Sequence, residues 1–289
     1  MSQEKYFITY GSENFHFQKK HLINLVKNSG FFDKIISLGP SDLSEEFKEK
    51  HSDLLENPNG LRHWTSHWIW KYEIIRNLLT QIKARDIVFY SDAGSSFNIG
   101  GLKRLEDYVE IINNSDSGNL RFEIPLVEKN WTNWKIFEFF NVENNKQITD
   151  TNTLAANHFG FLKNDITETI YNEFHRLIEF DKKLITNDYD NENQIQTFQR
   201  NTGDQSILSV LSKIYGTETL DDETYFKDCP ELQYNFPFLS VRKRNYSTYE
   251  KFKFYCRFKK NFNTPIFFNN KKSFLERVIY KLRKYFKYK

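Results

Sequence analysis

The sequence predicts an α/β fold in which helices cover both faces of a layered sheet. Strand-like and helix-like segments alternate through the first hundred residues, which is the order typical of such a domain. Residues 86–91, DIVFYS, are almost continuously apolar, as in a strand that is buried on both faces. The 28 Phe and 16 Tyr among 289 residues supply aromatic bulk for a substantial core.

Individual elements follow from hydrophobic periodicity and from the residues that end each segment. Leu22, Leu25 and Val26 share one face of a first helix, and Trp70 and Ile74 begin a four-residue repeat in a later one. The polar composition of 184–203 predicts a long loop. We predict strands at 5–10, within 32–40, and at 86–91, 120–127 and 155–162, and helices at 14–29, 41–57, 67–83, 165–181 and 204–216.

The chain contains no internal repeat and no clear linker. We therefore predict one domain over 1–240, followed by a basic, aromatic C-terminal segment over 241–289. This segment contains 16 Lys and Arg against two acidic residues, whereas the whole chain has a net charge of only +3. A basic end on an acidic body indicates a local anionic partner, such as a phosphate, a membrane surface or nucleic acid.

The last part of this segment, 271–289, predicts an amphipathic helix because its apolar residues recur at steps of three and four. Basic residues flank the stripe, which is the pattern of a helix that lies on an anionic membrane. Packing of the stripe against the body is an open alternative. Nucleic acid is the partner we expect least, since basic and aromatic residues alternate but no recognised nucleic-acid module accompanies them. The stripe consists of Phe274, Leu275, Val278, Ile279, Leu282 and Phe286.

Targeting features point to the cytoplasm. No apolar run approaches the ~20 residues of a membrane span, and the N-terminal MSQEKYFITY lacks the basic and apolar regions of a secretory signal. The two cysteines, Cys229 and Cys256, need not pair, which suits a reducing compartment. We expect a cytoplasmic protein, peripheral at the inner face of a membrane if its C-terminal helix binds lipid.

Asp92 carries the first chemical prediction because it directly follows the apolar strand 86–91. Ligands bind α/β sheets beyond the carboxyl ends of inner strands. A carboxylate there can hold a divalent cation, which in turn can neutralise a diphosphate. Gly94 would let the backbone approach a ligand closely. The alternative is an ordinary turn, since Asp and Gly favour strand ends.

Other catalytic patterns do not occur. The sequence has no phosphate-binding P-loop, no dinucleotide glycine motif and no G-x-S-x-G nucleophile. His63 and His67 have the i, i+4 spacing of a zinc site, but no acidic third ligand lies nearby. We therefore do not expect zinc.

Four segments resemble, in the same order, the GT-A-fold nucleotide-sugar glycosyltransferases of the surface-polysaccharide type found in bacteria and large DNA viruses. HWIWKYEIIRNLL (67–79) is similar to a W-x-W-K-P helix start, and DIVFYSDAG (86–94) to a strand that ends in D-x-D. EKNWTNWKIFEFF (128–140) is similar to E-x-x-W-T-K-x-D-x-F, and NTGDQSILSVL (201–211) to H-R-x-D-Q-S-I-x-S-L. The resemblance as a whole covers residues 5 to about 215.

The resemblance implies a GT-A-like sheet and a nucleotide-diphosphate sugar as donor. It places Asp204 and Gln205 beside the donor sugar as catalytic residues, where a carboxylate supports an oxocarbenium-like transition state. A helix cap is the alternative for Asp204. The residues expected to bind the donor and its cation are Thr9, Tyr10, Gly11, Lys71, Tyr90, Ser91, Asp92, Gly94 and Asn157, with Asp92 as the metal ligand. For Tyr10 a core position, and for Lys71 a solvated helix position, stay open.

The sequence also departs from these motifs. Gly94 replaces the second acid of D-x-D, so dependence on Mn²⁺ or Mg²⁺ is an open question. Asn133 and Lys135 replace the Lys and Asp of the third motif. Asn201 and Thr202 replace the His-Arg of the fourth.

We therefore predict a glycosyltransferase that moves a sugar, with UDP as the expected nucleotide, to a glycan or lipid-linked glycan acceptor in surface polysaccharide synthesis. Arg242, Lys243 and Arg244 would add positive charge if the C-terminal segment folds over the site. The alternative is a non-catalytic, basic-tailed protein that binds anionic membrane or nucleic acid and retains a degenerate sugar-nucleotide fold. Gly94 is the residue that favours this alternative.

Overall fold

The computed structural model describes residues 3–55, 68–188, 193–243, 252, 255–256, 259 and 262–268. The strands are β1 (Lys5–Tyr10), β2 (Lys34–Leu38), β3 (Ile87–Ser91), β4 (Ser96–Phe97), β5 (Asn119–Val127), β6 (Asn152–Leu154), β7 (His158–Leu162), β8 (Glu218–Asp221) and β9 (Phe238–Leu239). The helices are α1 (His16–Ser29), α2 (Glu45–Lys50), α3 (Ser52–Leu55), α4 (Trp70–Leu79), α5 (Leu102–Asn114), α6 (Glu128–Trp131), α7 (Trp134–Phe139), α8 (Lys146–Thr149), α9 (Asp165–Phe180) and α10 (Asp204–Tyr215).

The central sheet is mixed and has seven strands in the order β2-β1-β3-β7-β5-β6, with β8 also paired to β5. Strand β1 pairs in parallel with β2 and β3. Strand β7 then runs antiparallel to both β3 and β5. β3 therefore lies inside the sheet, between β1 and β7, and its carboxyl end opens at the same edge as that of β1.

Helices cover both faces of this sheet, which confirms the predicted α/β fold class. Alternate residues of β3 show the division, since Val88 and Tyr90 face one core and Ile87 and Phe89 face the other. The first core is completed by α4, α9 and α10, and the second by α1 and α5. Every residue of β3 is buried, as expected for a strand without a polar face.

Several predicted elements differ in detail from the structure. In place of the single helix predicted over 41–57, the structure has two short helices, α2 and α3, with His51 between them. The strand predicted at 155–162 begins only at His158, because 152–154 form the separate strand β6. Helix α5 and strands β4, β6, β8 and β9 were not predicted. In the predicted loop 184–203, the described residues contain no α-helix or strand.

A buried ion pair joins α6 to α10. Lys213 Nζ donates to Glu128 Oε2 over 2.6 Å, and the Glu128 side chain is fully buried. Thr132 Oγ1 and Ser209 Oγ also donate to this carboxylate. Burial raises the pKa of Glu128, although the ammonium and the hydroxyls act against that rise.

Removing one partner of this pair is expected to destabilise the fold strongly. Lys213→Met leaves a buried carboxylate without its cation, which costs about 3–5 kcal/mol of unfolding free energy. Urea titration measures the loss. Lys129→Met, at the solvent-exposed pair with Asp150, is the matched control and should change stability far less. Equal losses in the two variants would contradict the buried-pair interpretation.

Part of the C-terminal segment packs on the body. The backbone N–H of Ile266 donates to Ser96 Oγ over 2.8 Å, and the Ile266 side chain is buried. The ring of His21 on α1 contacts the carbonyl oxygen of Thr264 over 3.1 Å. The boundary at 240/241 stays a prediction, and the predicted helix over 271–289 lies outside the described residues. No helix in the described part of the chain is long and apolar enough to span a bilayer.

Candidate active site

The candidate site lies where the carboxyl ends of β1 and β3 meet the first turns of α4 and α10. Residues 9–11 include the end of β1 and the residue after it, and residues 90–94 include the end of β3 and the loop that follows. The loop between β6 and β7 supplies residues 155–157. Parallel strands open at a common edge, so groups that are distant in the chain converge there.

Lys71, in the first turn of α4, is the centre of this convergence. Its side chain is 1% exposed, and Nζ donates to Asp204 Oδ2 and to the carbonyl oxygen of Ala156, the latter over 2.8 Å. The same nitrogen lies 3.7 Å from Asp92 Oδ1. The solvated-helix alternative for Lys71 is therefore wrong, because the ammonium is buried among three oxygens.

Asp92 is the accessible member of the cluster. Its side chain is 31% exposed, whereas those of Lys71 and Asp204 are 1% and 5% exposed. Tyr90 donates its hydroxyl to Asp92 Oδ1 over 2.7 Å, and the backbone N–H of Asp92 donates to the carbonyl oxygen of Asn157 over 2.9 Å. The carboxylate is thus oriented by protein groups and still faces outward.

Asp204 is the first residue of α10 and is buried. Gly203 occupies the N-cap position with φ +70°, a conformation that suits glycine. The Asp204 carboxylate accepts from Lys71. Burial raises the pKa of Asp204 to about 6, and the Asp92 charge adds to the rise while Lys71 opposes it. Gln205 follows it and is partly buried.

Two stacked aromatic rings connect Lys71 to a second cation, the guanidinium of Arg121. Lys71 Nζ lies 4.8 Å from the centre of the Tyr90 ring, which stacks on Phe159 with centroids 4.8 Å apart. The guanidinium of Arg121 lies 4.1 Å from the centre of the Phe159 ring. Sequence reasoning missed Phe159 and Arg121, because only strand pairing brings β5, β7 and β3 into this row.

The end of β1 packs closely against its surroundings. The Tyr10 ring stacks on Trp70, with centroids 4.0 Å apart, and is 6% exposed. A Cβ on Gly11 would lie 2.8 Å from Ala93 Cβ, so glycine permits the close approach of the two strand ends. Thr9 is fully buried. A contact of 9–11 with a nucleotide stays a prediction.

Residues 240–243 run across the loop that follows β3. The backbone N–H of Lys243 donates to the carbonyl oxygen of Gly94 over 2.9 Å, and Asn157 Nδ2 donates to Ser240 Oγ over 2.6 Å. The Arg242 guanidinium lies 5.1 Å from the centre of the Tyr225 ring. The segment therefore passes beside the site as far as Lys243, and Arg244 lies outside the described residues.

A second polar row lies on the opposite face of the sheet, under α1. The pairing of β3 with β7 puts Ser91 beside His158, and Thr9 directly follows Ile8, the last residue of β1 that pairs with β3. His158 Nε2 contacts Ser95 Oγ over 3.2 Å, and Gln18 Nε2 donates to the carbonyl oxygen of Ser95 over 2.5 Å. Burial lowers the pKa of His158 to about 3, so its imidazole is neutral near pH 7. Ser91 belongs to this row and faces away from Lys71.

The third and fourth sequence motifs are adjacent in space. The backbone N–H of Thr202 donates to the carbonyl oxygen of Trp131 over 3.1 Å. Asn201 Oδ1 accepts from the backbone N–H of Asn133 over 3.2 Å. The residues that depart from the family pattern thus hold 131–133 against the segment that leads into Asp204.

The donor set does not fit a metal site formed by the protein alone. In the described part of the chain, no three His, Cys, Asp or Glu residues cluster closely enough to bind a metal ion. Asp92 Oδ1 accepts from Tyr90, and Asp204 Oδ2 accepts from Lys71. Mg²⁺ and Mn²⁺ prefer several oxygen ligands, and these two carboxylates already have partners. His63 and His67, the rejected zinc pair, lie outside the described residues.

The raised pKa of Asp204 predicts a pH dependence of turnover. The carboxyl faces Lys71, Asp92, Tyr90 and Tyr171. It is ionised above pH 6 and protonated below, so a rate that needs the carboxylate falls as pH decreases through about 6. The measurement is a pH profile of kcat, with circular dichroism as the control for unfolding. A descending limb near pH 4, where an ordinary aspartate titrates, would contradict the prediction.

Comparison with known proteins gives weak similarities. No protein-family model matches the sequence, and no curated protein matches it. The galactosyltransferase LgtC, solved with donor and acceptor sugar analogues, is 12% identical with a TM-score of 0.41, over 80% of this chain and 83% of that chain.

Two further glycosyltransferase structures are similar to a comparable degree. GlyE of Streptococcus pneumoniae TIGR4 is 16% identical with a TM-score of 0.40, over 91% of this chain and 65% of that chain. The bifunctional WbbM is 13% identical with a TM-score of 0.45, over 97% of this chain and 51% of that chain. TM-scores this low carry no argument about function.

Proposed function

We propose that the protein is a glycosyltransferase that uses a nucleotide-diphosphate sugar as donor. The observation that carries the proposal is the meeting of Lys71, Asp92 and Asp204. These residues come from three of the four segments that resemble the glycosyltransferase motifs, and they form one network of short contacts. The same convergence favours an enzyme over the non-catalytic alternative, because it puts an accessible carboxylate and a buried one together at the sheet edge where ligands bind.

The roles follow from exposure and charge. Asp92 would face the donor diphosphate, whereas Gly94 is buried and is covered by the backbone of Lys243. Asp204 would lie nearer the sugar, where a carboxylate stabilises positive charge at the anomeric carbon. Lys71 orients Asp204 before the donor binds, so little reorganisation is needed during reaction.

The finer features of the proposal rest on the sequence resemblance. We propose UDP as the nucleotide, a glycan or lipid-linked glycan as acceptor, and surface polysaccharide synthesis as the process. Cytoplasmic location, with attachment to the inner face of a membrane, belongs to the same proposal. The GT-A architecture is proposed on the same motifs.

A donor screen tests the proposal directly. UDP-, GDP-, CMP- and dTDP-sugars are added to the full chain, with and without Mn²⁺, and the melting temperature is recorded. One nucleotide class is expected to raise the melting temperature, because a ligand of the folded state stabilises it. The same donor should lose its sugar to water or to an acceptor. No shift with any of the four classes would contradict the proposal.

The basic C-terminal tail predicts membrane binding. Residues 271–289 contain eight Lys and Arg and one acid, and each basic residue adds about 1 kcal/mol near an anionic leaflet. Truncation after Asn270 is expected to release the protein from anionic liposomes and to leave transfer to a short soluble acceptor nearly unchanged. Liposome flotation and turnover are the measurements.

Two results would contradict this prediction. A truncated chain that does not fold would make the tail part of the core. Full-length protein that ignores liposomes but binds single-stranded nucleic acid with a steep salt dependence would favour the alternative partner.

A further inference from the structure

The surroundings of Lys71 resemble those of a bound cation. Three oxygens from three separate segments surround its ammonium: Asp204 Oδ2 at the start of α10, the Ala156 carbonyl before β7, and Asp92 Oδ1 after β3. An ammonium has three N–H donors and no acceptor. Its charge therefore lies beside an oxygen of each of the two carboxylates.

The charge balance leaves little reason for a metal ion. Two carboxylates that share one place repel each other unless a positive charge lies between them. Lys71 supplies that charge from a side chain that is 1% exposed. A divalent cation at the same carboxylates would be repelled by the ammonium. Gly94 stands where the resembling motif has its second acid, so the loop after β3 adds no further carboxylate.

We propose that the Lys71 ammonium is a built-in cation that takes the place of a divalent metal between Asp92 and Asp204. The protein then binds no metal at these carboxylates in the absence of nucleotide. For the proposed function, on which this consequence rests, a divalent cation would then enter only together with the oxygens of the donor diphosphate.

Manganese binding to the nucleotide-free protein tests this inference without any donor. Electron paramagnetic resonance of Mn²⁺ is used to measure the affinity of the wild type and of Lys71→Met. The substitution removes the ammonium and leaves both carboxylates, so Mn²⁺ should bind at least about tenfold more tightly than to the wild type. Mn²⁺ should also raise the melting temperature of this variant and leave that of the wild type unchanged.

Two matched controls separate a new metal site from a general effect of losing a lysine. Lys71→Met combined with Asp204→Asn leaves only one of the two carboxylates, and it should lose the gain in Mn²⁺ affinity. Lys213→Met removes a cation from the single buried carboxylate of Glu128, and it should gain no Mn²⁺ affinity.

The inference is overturned if folded Lys71→Met shows no gain in Mn²⁺ affinity. It is also overturned if the wild type binds Mn²⁺ tightly and Asp92→Asn abolishes that binding. If Lys71→Met does not fold even with Mn²⁺, the wild type alone provides the test. Tight Mn²⁺ binding that Asp92→Asn abolishes then overturns the inference, and the absence of such binding supports it. If the manganese results are as expected but the protein turns over no nucleotide sugar, the inference about Lys71 stands and the proposed function is wrong.

Discussion

Asp204→Asn is expected to lower kcat by about 10²–10⁴-fold, the usual effect of removing a positioned carboxylate. The side chain is buried at the start of α10 and is held by Lys71. Asparagine has the same shape and retains an oxygen that accepts from the ammonium, and the Asp92 carboxylate stays beside Lys71 as a counter-charge, so the fold should persist. What is lost is the negative charge beside the anomeric carbon. Steady-state turnover with the donor found in the screen measures the effect.

Asp165→Asn is the matched control. Asp165 is also the first residue of a helix, α9, but its side chain is exposed. Both substitutions remove a negative charge that favours a helix N-terminus, an effect of about 0.3–1 kcal/mol. If both variants melt lower and both keep full turnover, Asp204 serves only the helix and the catalytic assignment is wrong.

Asp92→Asn is expected to lower kcat by about 10²–10³-fold, as for loss of one oriented electrostatic group. Asparagine can still accept from the Tyr90 hydroxyl, and the backbone contact to Asn157 does not involve the side chain. The melting temperature should therefore change little. Asp116→Asn, an exposed aspartate in the turn before β5, is the control.

The two aspartates share one cation, so their effects should not be additive. In the double variant Asp92→Asn and Asp204→Asn, the loss of kcat should be smaller than the product of the single losses, because residues in one network act as a unit. A fully multiplicative loss would indicate that the two carboxylates act independently. If Asp92→Asn keeps normal turnover, the assignment of the loop after β3 to the site is wrong.

Much of the fold was predictable because helices and inner strands carry local periodicity. The strand 86–91 and the helix that begins at Asp204 appear in the structure within a residue of their predicted limits. Helix α5 was passed over although Leu105, Tyr108 and Ile112 form its buried face. Strands β6 and β8 have three and four residues, and so short a segment becomes a strand only by pairing with β5.

Lys71, Asp92 and Asp204 were named from the sequence, but their mutual arrangement was not predictable from it. Asp92 at a strand end and Asp204 at a helix start were identified from position and motif. The stacking of Tyr10 on Trp70 depends on where α4 packs, and the cover of Gly94 by Lys243 depends on the path of 240–243. Neither contact has a signal in the residues next to it.

The sequence by itself determined the limits of the inner strand 86–91 and of the helix that begins at Asp204, and which residue types stand at their ends, because these features depend on neighbours within a few positions. Tertiary structure alone decided that Lys71 and Asp204, 133 residues apart, form a buried ion pair with Asp92 beside it. The physical reason is that parallel pairing of β1 with β3, together with the packing of α4 and α10 on one face, brings three distant chain segments to one edge of the sheet. Burial there turns a helix lysine and a helix-start aspartate into a coupled pair, and it raises the pKa of the Asp204 carboxyl to about 6.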